Sequence, residues 1–514
     1  MKGVKQKMIA IDLFCGAGGM SEGILQAGFH IAFSSDINRD AALTYINRHK
    51  QLGLIEGYNT HFELTDIRNL TGKFIKESIE NLEIYRNAKD MKIDAIFGGP
   101  PCQGFSRSGR RQKDDPRNFL FREYIRVINE VKPRYVVMEN VEGIMDMTLV
   151  DFKGLDGVVY GENVAVPEIL ISEFNKIGYN TLEPRLLDAS DYGVPQRRKR
   201  AIFIAYQKGE KVPCYPKPTF SPLEKVTVLD AIGDLISDIQ IRTKINPDKT
   251  SYQVESIKGR TLKIDGTPVE HNGEIYNYEF SSHSKCIVER FSIYNEGEDT
   301  QTLRRRIKRD GIYIKNKHHL LDEAINSLKK IAIKKLRDLD EKYNVYQVRE
   351  ALINNNASME LINSCNTEDE NNGDESIQRV FGNLYEDEIK YIINLYSYNR
   401  RKLINVLKKG NAPDEVINSI LTKKNNRKRI NRNEQSPTIV TLPDDYISPF
   451  ENRIFSVREM ARLQSFDDSF KFLGKRTTGG PRRKMEVPQY TQVGNAVPPL
   501  LAKSIALEIK KALE

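Results

Sequence analysis

Cysteine is scarce in this chain. The five present, Cys15, Cys102, Cys214, Cys286 and Cys365, are odd in number, widely dispersed and never arranged as CxxC. That distribution argues against a disulfide framework and against a structural zinc site, and it predicts a reducing, cytoplasmic setting. Long apolar runs are also missing: no stretch approaches the roughly 18 apolar residues of a membrane span. The opening MKGVKQKMIAIDLFCG passes straight into a short apolar strand and a glycine-rich turn, with no secretion signal or anchor to be read there. Tryptophan is absent altogether. Together with abundant Lys, Asn and Ile this suits an AT-rich bacterial genome, a compositional remark without mechanistic content.

What is present is length and a modest basic surplus. With 514 residues, 39% of them hydrophobic and 29% charged, the chain can build two or three domains, because a single core stops growing near about 250–300 residues. A lone small binding module is therefore not expected. Lys and Arg number 79 against 70 Asp and Glu, a formal +9 that favours anionic partners such as nucleic acid. Most of the surplus is local. Residues 301–435 hold 27 basic and 19 acidic side chains, a net +8, and the rest of the chain is close to neutral.

From Lys7 to Ile204 short apolar runs alternate with helical patterns: MIAIDLF then MSEGILQAGF, IAFSSD then INRDAALTYINRH, then IDAIFGG, RYVVMEN and RAIFIAY. This alternation predicts an α/β fold with a doubly wound, mostly parallel sheet. YVVM and AIFIA, apolar without interruption, are expected to be central strands. Prolines at 213, 216, 218 and 222 mark the exit from the sheet, and TVLDAIGDL reads as a short amphipathic helix. Residues 241–299 suggest irregular, β-rich structure. Two long helical patterns follow, HHLLDEAINSLKKIAIKKLRDLDEKY and EDEIKYIINLYSYNRRKLINVLKKG, separated by the polar NTEDENNGDES and read as a helical insertion at about 304–432. The basic run KKNNRKRINRNEQ is either a solvated loop or a phosphate contact. Helices are expected again at SVREMARLQSF and at NAVPPLLAKSIALEIKKAL.

Four motifs carry candidate chemistry. In DLFCGAGGMSEG, Gly16 and Gly18 let the backbone turn tightly after a strand and approach a ligand at the following helix, and Asp36 ends the next strand where a ribose hydroxyl pair can be held. A nucleoside such as S-adenosylmethionine fits this pattern; a turn that merely packs strand on helix fits it equally. IFGGPPCQGFSRSG places Cys102 at a strand end, behind two prolines and before a Gly/Ser loop, as a nucleophile or as an ordinary semi-buried thiol. YVVMENV puts Glu139 at the end of another strand, and QRRKR puts Arg197, Arg198 and Arg200 at the entrance to a further one, where guanidiniums can orient a base carbonyl or a phosphate, or can be solvated charge.

Taken in order and spacing, DLFCGAGG, GGPPCQGFSRSG, MENV, QRRKR, SVREMARLQSF and QVGNAVPPLLA resemble the cytosine-5 DNA methyltransferase family, over roughly residues 8–230 and 436–514. Six ordered motifs are far more specific than any one. The resemblance implies a Rossmann-like S-adenosylmethionine-dependent methyltransferase domain over 1–212, a smaller target-recognition domain over 213–480 that contains the helical insertion, and a segment 481–514 completing the catalytic domain. It implies Cys102 as the thiolate that attacks carbon 6 of a flipped cytosine, Glu139 stabilising the protonated ring nitrogen 3, and Arg200 orienting the base with Arg198 in support. For S-adenosyl-L-methionine it implies Phe14 near the adenine, Gly16 and Gly18 near the methionine part, Asp36 on the ribose, Asp66 and Ile67 at the adenine edge, and Asn495 and Val497, in a strand-to-helix turn, closing the pocket. No metal is required. The implied partners are double-stranded DNA and, where the enzyme is half of a restriction system and not a solitary one, a cognate restriction endonuclease; a monomer is the family's common habit.

Three features depart from the family pattern: FDD at Phe466 to Asp468 in place of the commoner FPD, the basic stretch GKRTTGGPRRK before the last motif, and the enlarged smaller lobe. None touches an implied catalytic position. The tRNA-methylating branch usually carries a Cys-Phe-Thr tripeptide, which is missing here, and a non-catalytic DNA-binding relative would lack Pro101, Cys102 or Glu139, which are present. The insertion is read as a packed structural element with solvated charges in preference to a phosphate-binding one.

Overall fold

The structure is a computed structural model that describes residues 8–86, 91–101, 119–161, 164–270, 273–342, 345–364, 382–478, 480, 482 and 485–514. The chain forms two compact units. The first comprises Met1–Phe280, Asn431–Pro443 and Phe455–Glu514; the second comprises Ser281–Ile430 and Asp444–Ile454.

The first unit is an α/β layer structure built on one sheet. Its strands are β1 (Ile9–Leu13), β2 (His30–Asp36), β3 (His61–Leu64), β4 (Ala95–Gly98), β5 (Tyr135–Val141), β6 (Tyr179–Thr181), β7 (Arg185–Asp188) and β8 (Lys199–Gln207). They lie in the order β3-β2-β1-β4-β5-β8-β6, with β7 also paired to β8. All neighbours as far as β5 are parallel; β8 runs antiparallel to β5, β6 and β7. Helices α1 (Gly19–Gln26), α2 (Arg39–Gln51), α3 (Gly72–Glu80), α4 (Leu120–Val131) and α5 (Val166–Lys176) connect the first strands.

Strand period explains the two helix layers. In β1 the side chains of Ile9, Ile11 and Leu13 join one buried core with Ile75, Ile79, Ile125, Ile128 and Leu170 of α3, α4 and α5. Ala10, pointing the other way, joins a second core with Ile24 of α1 and Leu501, Ile505 and Ile509 of the helix Pro499–Leu513. The doubly wound sheet read from the sequence is therefore present, with YVVM in β5 and AIFIA in β8, each flanked by strands on both sides. Because strand order reverses between β1 and β4, the crevice for a ligand opens at the carboxyl ends of these strands. Since β8 is antiparallel, its entrance lies at that same edge.

The second unit is helical around its own core. Helix His318–Lys342 presents Leu320, Leu321, Ala324, Leu328, Ala332 and Leu336 along one buried stripe, the spacing of an amphipathic helix. No helix among the described residues is long and apolar enough to cross a membrane.

Two expectations from the sequence need correction. Residues 241–299 are not β-rich: the described part carries helices Ile239–Ile245, Ser251–Lys258 and Lys285–Phe291 and no strand. Short polar side chains cap these helices. Asp238 accepts from the Gln240 and Ile241 amides, Thr250 forms a reciprocal capping box with Gln253, and Ser284 accepts from the Ile287 amide. The second long helical pattern is two helices, Gly382–Tyr396 and Arg400–Lys409, because the Asn399 side chain accepts the Lys402 amide at 2.9 Å and starts a new helix there.

Candidate active site

The turn after β1 is shaped by positive φ at Phe14 (58°), Gly16 (54°) and Gly18 (101°). The Gly16 amide donates to Asp36 Oδ2 at 2.9 Å, and the Asn38 amide donates to Oδ1 at 2.7 Å. Burial raises the Asp36 carboxyl above the usual carboxylate range, opposed by these amides. A Cβ built on Gly16 meets nothing within 4 Å, so the turn faces open space. The partly buried Asp36 carboxylate borders this open turn, where a ribose hydroxyl can reach it. This cradle fits a nucleoside cofactor.

Asp66 and Ile67 follow β3 at the same edge. The Asp66 carboxylate accepts the Arg68 amide at 2.9 Å and pairs with the Arg68 guanidinium at 2.5 Å, which holds its pKa below the usual value. Ile67 is buried.

Asn495 and Val497 arrive from the far end of the sequence. The stretch expected as a strand-to-helix turn is a helix-to-helix turn: Gln489–Asn495 is helical, Pro498 interrupts it, and Pro499 begins the next helix. A Cβ on Gly19 would lie 2.4 Å from the Val497 carbonyl oxygen and 2.9 Å from Ala496 Cβ, so this turn sits directly on the start of α1. Gly19→Ala is expected to push the two apart, costing about 1–3 kcal/mol and weakening cofactor binding. Thermal melts with and without S-adenosyl-L-methionine check this, and an unchanged melting temperature in both conditions contradicts it.

On the other side of the crevice, β5 and β8 place Glu139 opposite Ile202 and Val141 opposite Arg200. Arg200 Nε donates to Glu139 Oε1 at 2.7 Å, both side chains being 11% exposed. Gly99 packs against this pair: its Cβ would come 3.1 Å from Glu139 Oε2. The Asn140 side-chain amide donates to the Pro100 carbonyl at 3.2 Å, tying the approach to Cys102 beside Glu139. Cys102 itself lies outside the described residues.

Arg198 is buried, and its guanidinium is used on backbone. It donates to the carbonyls of Ile439 (3.1 Å), Gly494 (2.9 Å) and Ala496 (3.1 Å). Two buried glutamines that the sequence reading missed complete this lattice. Gln196 donates to Gln464 Oε1 at 2.8 Å and accepts the Ile439 amide at 2.7 Å, while Gln464 donates to the Val493 carbonyl at 2.8 Å. The lattice joins the entrance of β8 to the turn bearing Asn495 and Val497. Arg197, by contrast, is exposed and pairs with Glu434 at 3.0 Å.

Asp12 was also missed, although an acid inside the apolar run IAIDLF is a visible signal. It is buried, its Oδ2 accepts the Ser21 hydroxyl, and its Oδ1 has no partner among the described residues. Burial chiefly, with the Asp36 charge adding, pushes its pKa to about 7 against the Ser21 bond. The folded chain thus keeps a proton here that the unfolded chain releases at the ordinary carboxylate value. Stability is expected to fall as pH rises from that value to about 7 and to level off above it. Asp12→Asn is expected to flatten this slope in urea unfolding between about pH 4.5 and 7.5; an unchanged slope contradicts the assignment.

Comparison with known proteins addresses the family and the fold. The family model described as C-5 cytosine-specific DNA methylase matches residues 8–511. The type II methyltransferase M.DdeI of Desulfomicrobium norvegicum is 27% identical, covering 98% of this chain and 88% of its own length. M.AgeI of Thalassovita gelatinovora is also 27% identical, over 98% of this chain and 100% of its own. A solved structure titled as a DNA modification methyltransferase encoded within an E. coli prophage is similar at a TM-score of 0.54 and 22% identity, covering 99% of each chain, a likeness of fold.

Proposed function

The chain belongs to the C-5 cytosine-specific DNA methylases, and from that membership we propose that it methylates carbon 5 of a cytosine flipped out of double-stranded DNA within a short recognition sequence. Its physiological task is then to protect that sequence from a cognate restriction endonuclease, as the type II names of its relatives suggest. Cytosine carbon 5 is too electron-poor to accept a methyl group until a nucleophile has added to the ring. Cys102 provides that nucleophile, its thiolate bonding to carbon 6 while ring electrons shift toward nitrogen 3. Glu139 holds the proton that nitrogen 3 then carries, and Arg200 orients the base while fixing the Glu139 carboxylate. S-adenosyl-L-methionine, when bound, supplies an electrophilic methyl group to carbon 5. Loss of the carbon 5 proton restores the ring double bond and expels Cys102.

The other residues position these groups. Phe14, Gly16, Gly18, Asp36, Asp66 and Ile67 hold the nucleoside from one side, with Asn495 and Val497 closing over it. Arg198 sets that closing turn through the Gly494 and Ala496 carbonyls. Residues 213–480, including the insertion at about 304–432, serve as the target-recognition domain, reading base edges from the major groove. The observation that supports the reading most is the Glu139–Arg200 pair standing beside the Pro100 carbonyl, two residues before Cys102.

Nucleoside mass spectrometry on DNA and tRNA from a methylation-free host expressing the protein tests this. 5-Methyl-2′-deoxycytidine is expected in the DNA. A methylated base of another kind, or 5-methylcytidine in tRNA alone, overturns it.

A further inference from the structure

We propose that the exposed face of the helix Arg400–Lys409, in the helical unit, binds the phosphodiester backbone of duplex DNA. This rests on the reading of DNA as substrate and adds a surface that the chemistry of the catalytic motifs does not require.

The helix buries Leu403 and Leu407, and Arg401, Asn405, Lys408 and Lys409 stand exposed. At spacings of four, three and one these residues follow one side of the helix. From Arg401 to Lys409 they extend over about 12 Å. One strand of duplex DNA presents a phosphate per about 3.4 Å of axis, so a stripe of this length is long enough for each of its three cations to meet a phosphate.

The same helix supplies its own control. Arg400 Nε donates to Asp322 at 2.6 Å. Lys402 donates to Asn394 Oδ1 and Ser397 Oγ, each at 2.7 Å, and lies 4.7 Å over the Tyr398 ring. Those two cations serve the fold. Arg401 and Lys409 form no ion pair among the described residues, and Lys408 has only the Tyr313 ring, at 5.8 Å. Three other cations of this unit are held by acids: Lys308 by Asp414, Arg290 by Glu323, and Lys424 by Asp444.

A shallow depression of about 320 Å³ lies on this face, lined by Asn399, Arg401, Lys402, Asn405, Val406 and Lys409. Besides Lys402, already held by Asn394 and Ser397, it offers Arg401, Lys409 and two amides, with no carboxylate in its lining, a donor set that receives a phosphate. Lys408 and Lys409 could be assigned to the helix carboxyl end, whose dipole favours them. Arg401 cannot: it stands in the first turn, where the dipole opposes a cation, and no acid in that turn offsets it. An external anion is the partner that accounts for all three.

The test is the salt dependence of DNA binding by the full-length protein. Each phosphate contact adds about 0.9 to the slope of log K against log salt. The R401Q/K408Q/K409Q variant is expected to lose about two to three from that slope and to weaken target and non-target duplexes alike, with affinity for S-adenosyl-L-methionine unchanged. R401Q alone is expected to lose about one, a second reading should the triple variant melt early. A slope equal to wild type overturns the proposal. So does an equal loss from K73Q/K263Q/K511Q, which would reduce the effect to net charge, and so does a loss confined to RNA. A wild-type protein that binds no duplex DNA sinks the substrate reading as well, whereas wild-type methylation with an unaltered variant slope sinks this inference alone.

Discussion

Replacing Cys102 with alanine is expected to lower methyl transfer by at least about four orders of magnitude while leaving DNA affinity within about twofold. The size follows from the chemistry. Without addition at carbon 6 the ring keeps its aromatic electron distribution, and no placement of the methyl donor makes carbon 5 nucleophilic. The binding surfaces do not depend on the thiol, so affinity survives. Single-turnover transfer of a labelled methyl group, with filter binding on the same samples, measures both quantities. DNA bearing fluorine at cytosine carbon 5 adds a covalent readout: fluorine cannot leave as a proton does, so wild type is expected to remain attached and the alanine variant to dissociate. Methylation by the alanine variant within about tenfold of wild type would contradict the covalent mechanism.

Glu139→Gln is expected to lower kcat by about 10²–10⁴ with little change in KM for either substrate. Glutamine has the shape of glutamate and keeps an oxygen for Arg200 Nε, now 2.7 Å from Glu139 Oε1, so the β5–β8 edge is expected to stay folded. What it loses is the charge proposed to stabilise a protonated nitrogen 3. Arg200→Ala differs in kind, because it leaves a mostly buried carboxylate without its cation and is expected to lower the melting temperature as well as the rate. Steady-state kinetics and thermal melts separate the two. A Glu139→Gln enzyme with normal kcat, or one lost through unfolding, would remove the carboxylate from the proposed chemistry.

The legible part of this molecule was the part with local signals. Apolar runs located the sheet, and the alternation of Ile9, Ile11 and Leu13 with Ala10 split its two cores. The motif residues fell at strand ends because glycine, proline and charge interrupt apolar runs there. The meeting of Glu139 with Arg200 depends on β8 running antiparallel to β5, and strand direction leaves no mark in composition. Long-range polar partners were likewise hidden. Asp467, in the position where the family commonly has proline, is buried, accepts the Arg260 amide at 2.7 Å and the Ser469 hydroxyl at 2.6 Å, and lies 3.6 Å from Arg48. Nothing near residue 467 announces an arginine more than four hundred positions away. Residues 241–299 misled because short polar and aromatic stretches broken by glycines suit irregular β structure, whereas Thr250 and Ser284 there cap helices.

Bisulfite sequencing of plasmid DNA from a methylation-free host expressing the wild-type chain or its Cys102→Ala variant tests the central claim most directly. Cytosines protected at one position of a recurrent short motif are expected with the wild type and none with the variant. Soluble wild-type protein that leaves every cytosine convertible, or equal protection by the variant, would contradict the account.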